Sequence, residues 1–158
     1  MAVQVMLEGA AEGERALRDL LTTAGRALLT ESRLRQRELS ILVTDDAQIQ
    51  ELNAEWRDED KATDVLSFPM DELAPDDADR PKRGPLGDIA ISVETATVEA
   101  EKVGMPRDDM IVFLLVHGYC HLLGHDHGEP DEAAAMKADE DRFLAIVAPH
   151  VTRPPTPY

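Results

Sequence analysis

The chain has 158 residues, 43% hydrophobic and 30% charged, and its 32 acidic against 16 basic side chains leave a formal net charge of −16. That length predicts one domain with a core of its own, and the composition excludes a disordered or fibrous chain. So acidic a surface disfavours long-range attraction to nucleic acid, so any RNA contact must use a local basic patch, a bound metal or a partner.

Val3, Val5 and Leu7 alternate with Gln4 and Met6, predicting a first strand. No basic stretch leading into an apolar segment marks this end, so no secretory signal is expected and the protein is placed in the cytoplasm. Between Glu12 and Leu29 the apolar residues Ala16, Leu17, Leu20, Leu21, Ala24 and Leu28 recur at helical spacing. Leu39, Ile41 and Val43 alternate in a second strand, Glu38 to Thr44. Asp45 or Asp46 then offers an N-cap for a helix carrying Ile49, Leu52 and Trp56.

Thr63 to Phe68 reads as a third strand stopped by Pro69. Met70 to Pro85, with three prolines, five acids and three bases, has no apolar period and is expected to be a flexible loop. Leu86 to Ser92 is a fourth strand, and a helix runs from Val93 to Val103. Another helix opens near Pro106, with Asp108 and Asp109 complementing its positive end. Its run Met110–Val116 is the longest uncharged apolar stretch and is far too short to span a bilayer, so no membrane partner is expected. Residues 131 to 147 form a last amphipathic helix with Met136, Phe143, Leu144 and Val147, and the acids from Glu129 to Asp141 read as its solvated face.

These elements predict an α+β fold, a small four-stranded mixed sheet covered by four to five helices with the histidine-bearing helix at its centre. One domain spans residues 1–151, and residues 152–158 form a disordered tail.

Four of the five histidines fall between His117 and His127. On a helix, His117 and His121 lie one turn apart on one face and can aim two imidazoles at one point. Gly124 tolerates the left-handed conformation that ends a helix, after which the chain can double back and deliver His127 as a third nitrogen. Three protein ligands leave a fourth position open, the arrangement of a catalytic zinc site. Cys120, the only cysteine, excludes an internal disulfide; it points about 100° off the histidine face and is expected to pack. His125 could add a fourth ligand, but is read as exposed or as a support to the ligands. Zinc peptidases carry a glutamate after the first histidine of such a pair to act as general base. Here Gly118 stands in its place and cannot take a proton, so phosphoryl transfer suits the site better than peptide hydrolysis.

Four segments, Asn53–Arg57, Thr63–Pro69, Leu86–Ser92 and the motif His117-Gly-x-x-His121-Leu-x-Gly124-x-Asp-His127, together resemble the bacterial YbeY family of metal-dependent endoribonucleases. The resemblance runs from the second strand to the last helix, in the family's order. It implies one Zn2+ ion per chain on His117, His121 and His127, and a functional arginine at Arg57. It further implies single-strand-specific cleavage at the 3′ end of small-subunit ribosomal RNA, with ribosomal proteins and a ribosome-assembly GTPase as partners. The chain departs from the family pattern in the acidic insertion after Met70 and in His125, where the family often has tyrosine.

Arg57 alone could simply pair with Asp58, Glu59 or Asp60. Asp88 could orient a ligand histidine, contact a protein partner or cap a turn, and Asp126 could support His127 or merely form a turn. Lys61, Lys82 and Arg83 are candidate RNA contacts. A ribosome-assembly binding factor with a structural metal is the alternative reading, and a metallopeptidase the more remote one.

Overall fold

Four strands and five α-helices make up residues 2–155, the span described by the computed structural model. β1 (Val3–Leu7) leads through a 3-10 turn at Gly9–Ala11 into α1 (Arg15–Glu31). β2 (Arg37–Thr44), α2 (Asp46–Arg57), β3 (Val65–Pro69) and β4 (Gly84–Ser92) follow, then α3 (Val93–Val103), α4 (Arg107–Leu122) and α5 (Pro130–Val147). The sheet order is β1-β2-β4-β3, with β1, β2 and β4 parallel and β3 antiparallel to β4 at the edge. This is the α+β mixed sheet expected. Pro69 ends β3 from inside the strand, which an edge position tolerates because the ladder loses little from its missing N–H.

Strand alternation decides which face is dry. Leu39, Ile41 and Val43 of β2 join Leu86, Ile89 and Ile91 of β4 in the main core with α1, α3, α4 and α5. Every residue of Met110–Val116 is buried, so α4 is enclosed on all sides and serves as a rigid axis. On the reverse face Ile49 of α2 covers Leu66 and Ala90, with Leu42, Leu52 and Phe68 partly buried. The Asp45 carboxylate caps α2 by accepting the Gln48 N–H at 3.0 Å, as its position suggested.

The stretch from Met70 to Arg83 is irregular but pinned, which corrects the expectation of a flexible loop. Arg37, only 1% exposed, donates from Nη1 to Asp71 Oδ2 at 2.7 Å and from Nη2 to Asp71 Oδ1 at 3.2 Å. The same guanidinium bonds the carbonyls of Pro81, Gly84 and Pro85. Arg80, also buried, donates to Asp71 and, at 2.6 Å, to the Leu123 carbonyl at the end of α4. Composition concealed this because two of the loop's charges, Asp71 and Arg80, serve as internal fasteners with Arg37 of β2.

Two further expectations change. Glu140 lies within the acid-rich face of α5 but has no exposed surface. It sits four residues after Met136 and four before Leu144, on the buried stripe. Thr152–Pro155 does not hang loose: Arg153 bonds Glu140 and Asp141, and Pro154 is buried. Residues 156–158 of the expected tail lie outside the described residues.

Candidate metal centre

The histidine site is built by the way α4 ends. Gly124 takes φ +104°, its N–H donates to the His121 carbonyl at 3.0 Å, and the His125 N–H donates to the Cys120 carbonyl at 3.1 Å. That pair of bonds is a Schellman closure, which reverses the chain within two residues. The turn also packs tightly, since a Cβ on Gly124 would sit 2.0 Å from the Leu73 carbonyl oxygen. The fastened 70–83 segment therefore buttresses the reversal that brings His127 back over α4.

His117, His121 and His127 converge, each offering a ring nitrogen within 4.8 Å of the other two. Their ring centroids lie 4.8, 5.8 and 5.5 Å apart, a nearly regular triangle. In a tetrahedral zinc site the donor nitrogens stand about 3.4 Å apart, so small ring rotations close this set on an ion. Two rings are already oriented for it. His117 Nδ1 meets Glu140 Oε2 at 2.6 Å, and His121 Nδ1 meets the His125 carbonyl at 2.9 Å. Carboxylate and carbonyl both accept, so each ring carries its proton on Nδ1 and presents Nε2 to the common point. Burial, then the neighbouring His117, pushes the pKa of His121 down to about 4, leaving a neutral imidazole with its lone pair available at pH 7. The donor set therefore fits a divalent zinc-like cation. Cys120 takes no part; it is fully buried, and burial raises its thiol pKa well above the ordinary value.

The other sequence candidates separate around this triangle. Arg57, at the end of α2, shares a cleft of about 340 Å³ with the three histidines, Asp64 and Ser67. Its Nη2 donates to the Ser67 carbonyl, and its guanidinium lies 5.5 Å from the Phe68 ring centroid. The surface ion pair with its acidic neighbours is not formed among the described residues; Glu59 pairs instead with Lys61 at 3.6 Å. His125 is buried, not exposed, with Nε2 on Asp139 Oδ2 at 2.7 Å, so its side chain ties the turn to α5 while its carbonyl steadies His121. Asp126 accepts the His127 N–H at 2.8 Å, a local turn contact. Asp88 is exposed on the reverse face of the sheet, in a hollow with Trp56, Phe68 and Met70 that no histidine lines. Orienting a ligand is thus excluded for it. Lys61 is exposed, and Lys82 lines a separate hollow with Arg33 and Arg35, away from the histidines. Arg83 is exposed beside it.

Three groups escaped the sequence reading. Glu140 could have been found as an acid on an apolar helical stripe. Asp64 and Glu99 could not, because only the fold brings the residue before β3 up to α3. They line a second hollow of about 420 Å³ with His117 and His127. Burial, then the charge of Asp64, raises the Glu99 pKa to about 7.

Comparison with known proteins gives the family and the fold. Residues 8–148 match the family model described as Endoribonuclease YbeY. A curated Endoribonuclease YbeY of Agrobacterium fabrum is 48% identical over 110 residues, covering 70% of this chain and 64% of that protein. Its counterpart in Sinorhizobium fredii is 47% identical over 108 residues, covering 68% and 61%. That of Myxococcus xanthus is 46% identical over 125 residues, covering 79% and 42%. The chain thus spans less than two thirds of the length of these relatives. In architecture it is similar to a solution structure of a Thermotoga maritima protein, with a TM-score of 0.62 and 21% identity over 91% of this chain and 89% of that one.

Proposed function

This chain belongs to the YbeY family of endoribonucleases, and on that premise we propose that it is a zinc-dependent endoribonuclease cutting single-stranded RNA. Its proposed role is maturation of the 3′ end of small-subunit ribosomal RNA during ribosome assembly. The observation that carries the reading is the triangle of His117, His121 and His127 with Arg57 in the same cleft. One Zn2+ ion held by the three rings would supply Lewis acidity toward a phosphodiester oxygen.

The protein's own groups do the rest. Glu140 and the His125 carbonyl keep two rings aimed and in one tautomer. Arg57 is braced by the Ser67 carbonyl and Phe68, and a guanidinium has further N–H donors to share the charge that builds on the phosphate.

Net charge −16 still opposes RNA, so attraction must be local. Arg33, Arg35 and Lys82 cluster around one hollow, and with Arg83 and Lys61 they are the RNA contacts proposed. The acidic remainder suits basic ribosomal proteins, and Asp88 beside the apolar hollow of the reverse face suits a protein partner such as these or an assembly GTPase. The proposed catalytic unit is the single domain expected over residues 1–151, with the segment through Pro155 packed against it, and the cell compartment proposed is the cytoplasm. A ribosome-assembly factor with a merely structural metal is the second reading, favoured by that same apolar hollow.

Incubating zinc-loaded protein and its His117→Ala variant with ribosomal RNA tests the first reading. Cleavage by the parent alone is expected; equal cleavage by both would mark the activity as a contaminant. Lost complementation by Arg57→Ala with ribosome binding intact favours the enzyme, whereas full complementation favours the scaffold.

A further inference from the structure

A buried carboxylate costs stability unless it is paired and bonded on both oxygens. Glu140 meets that condition between two partners: its Oε2 accepts from His117 at 2.6 Å, and its Oε1 accepts from Arg153 Nη2 at 2.7 Å. Arg153 arrives from the segment after α5. Its Nε donates to Asp141 Oδ1 at 2.8 Å, Nη2 also donates to the Lys137 carbonyl at 3.2 Å, and the guanidinium lies 5.5 Å from the Phe113 ring centroid. Behind it the Val151 N–H donates to the Ala148 carbonyl at 2.9 Å, and Pro154 is buried. The terminal torsion of a glutamate is soft, and a partner on one oxygen leaves it free to turn. A second partner, itself held by three other contacts, fixes the plane.

We propose that Arg153 is a positioning residue of the metal centre: by locking the Glu140 carboxylate it sets the orientation of the His117 ring, and so the affinity for zinc. This rests on the metal-centre reading above and deepens it. Arg153 lies beyond residues 8–148, so the tie comes from outside the part of the chain that matches the family model. The C-terminal segment thereby becomes part of the site, although it supplies no ligand.

Zinc affinity, measured by competition with a chromophoric chelator, tests this in the parent, Arg153→Gln, Arg153→Lys and Asp141→Asn. Apo thermal midpoints and the ring-nitrogen NMR signals of His117 are recorded on the same samples. Loss of a group that orients a ligand lowers metal affinity by about 10- to 100-fold, so Arg153→Gln is expected in that range with a shifted His117 Nδ1 signal. Arg153→Lys, which keeps a cation able to reach Glu140, should recover part of the loss. Asp141→Asn removes only an exposed partner and should stay within about twofold of the parent. Unchanged affinity and an unchanged His117 signal in Arg153→Gln would overturn the proposal. So would losses in all three variants that merely track their apo stability. A parent protein that takes up no zinc would remove the metal-centre reading itself, and this inference with it.

Discussion

Gly118 and Ser67 touch where the metal helix crosses the sheet: the Ser67 hydroxyl donates to the Gly118 carbonyl at 3.0 Å. A Cβ at Gly118 would stand 3.1 Å from Ser67 Oγ, 3.0 Å from Ile89 Cγ2 and 3.2 Å from Val65 Cγ2. The residue after the first histidine therefore faces the sheet. A peptidase glutamate placed there would enter the core and not the cleft.

Gly118→Ala sets a crowding cost of about 1–3 kcal/mol against a helix-propensity gain of about 1 kcal/mol. A net loss of about 1 kcal/mol in chemical denaturation is expected, and Gly118→Glu should not fold. A Gly118→Glu protein that folds and hydrolyses casein would show this account of the crossing to be mistaken.

Substituting any one of His117, His121 or His127 by alanine should weaken zinc binding on the order of 100-fold or more. The same reasoning predicts that chelation lowers the thermal midpoint, since zinc at 100 times its Kd adds about 2.7 kcal/mol. Calorimetry with and without chelator checks it, and coincident melts would mean no specific ion.

Glu99 makes stability fall as pH rises. Its folded pKa of about 7 exceeds the unfolded 4.5, so the native state holds the proton more tightly between those values. The benefit is complete below about pH 4.5 and lost as pH passes 7. Glu99→Gln should flatten the melting temperature between pH 5 and 8, approximately that window, and raise it at the alkaline end. Parallel pH profiles for the two proteins would refute the half-buried acid pair of Asp64 and Glu99.

Asp71 acts in the opposite sense. Its hydrogen bond from Arg37 is the main cause of a pKa below the ordinary 3.8, so its contribution is present above that value and lost as pH falls through the folded pKa. Asp71→Asn leaves Arg37 buried with a weaker partner and should cost about 3 kcal/mol at neutral pH. Because this pair fastens the loop against Gly124, proteolysis within residues 70–83 should also accelerate. A variant as stable and as resistant as the parent would show the loop to be independent of the turn.

Local rules determined much of this protein from sequence alone. Strand alternation, helical period, the Asp45 cap and the left-handed Gly124 each depend on neighbours in the chain, so β1 to β4, α1 to α5 and the histidine reversal were legible. The matched segments added the family. What pairs with what across the chain was not legible, because charge has no period. Arg37, Asp71, Arg80, Glu140 and Arg153 looked like solvated charges in composition, and only the packed fold shows them buried or half-buried and bonded in two groups, Arg37–Asp71–Arg80 and Glu140–Arg153. In the same way Asp64, just before β3, and Glu99 of α3 become neighbours only in the packed fold, while Asp88 is turned to the far face by strand alternation. The three histidine ligands could be read along one helix and its turn; the groups that aim His117 come from α5 and the segment beyond it, contacts that tertiary structure alone decides.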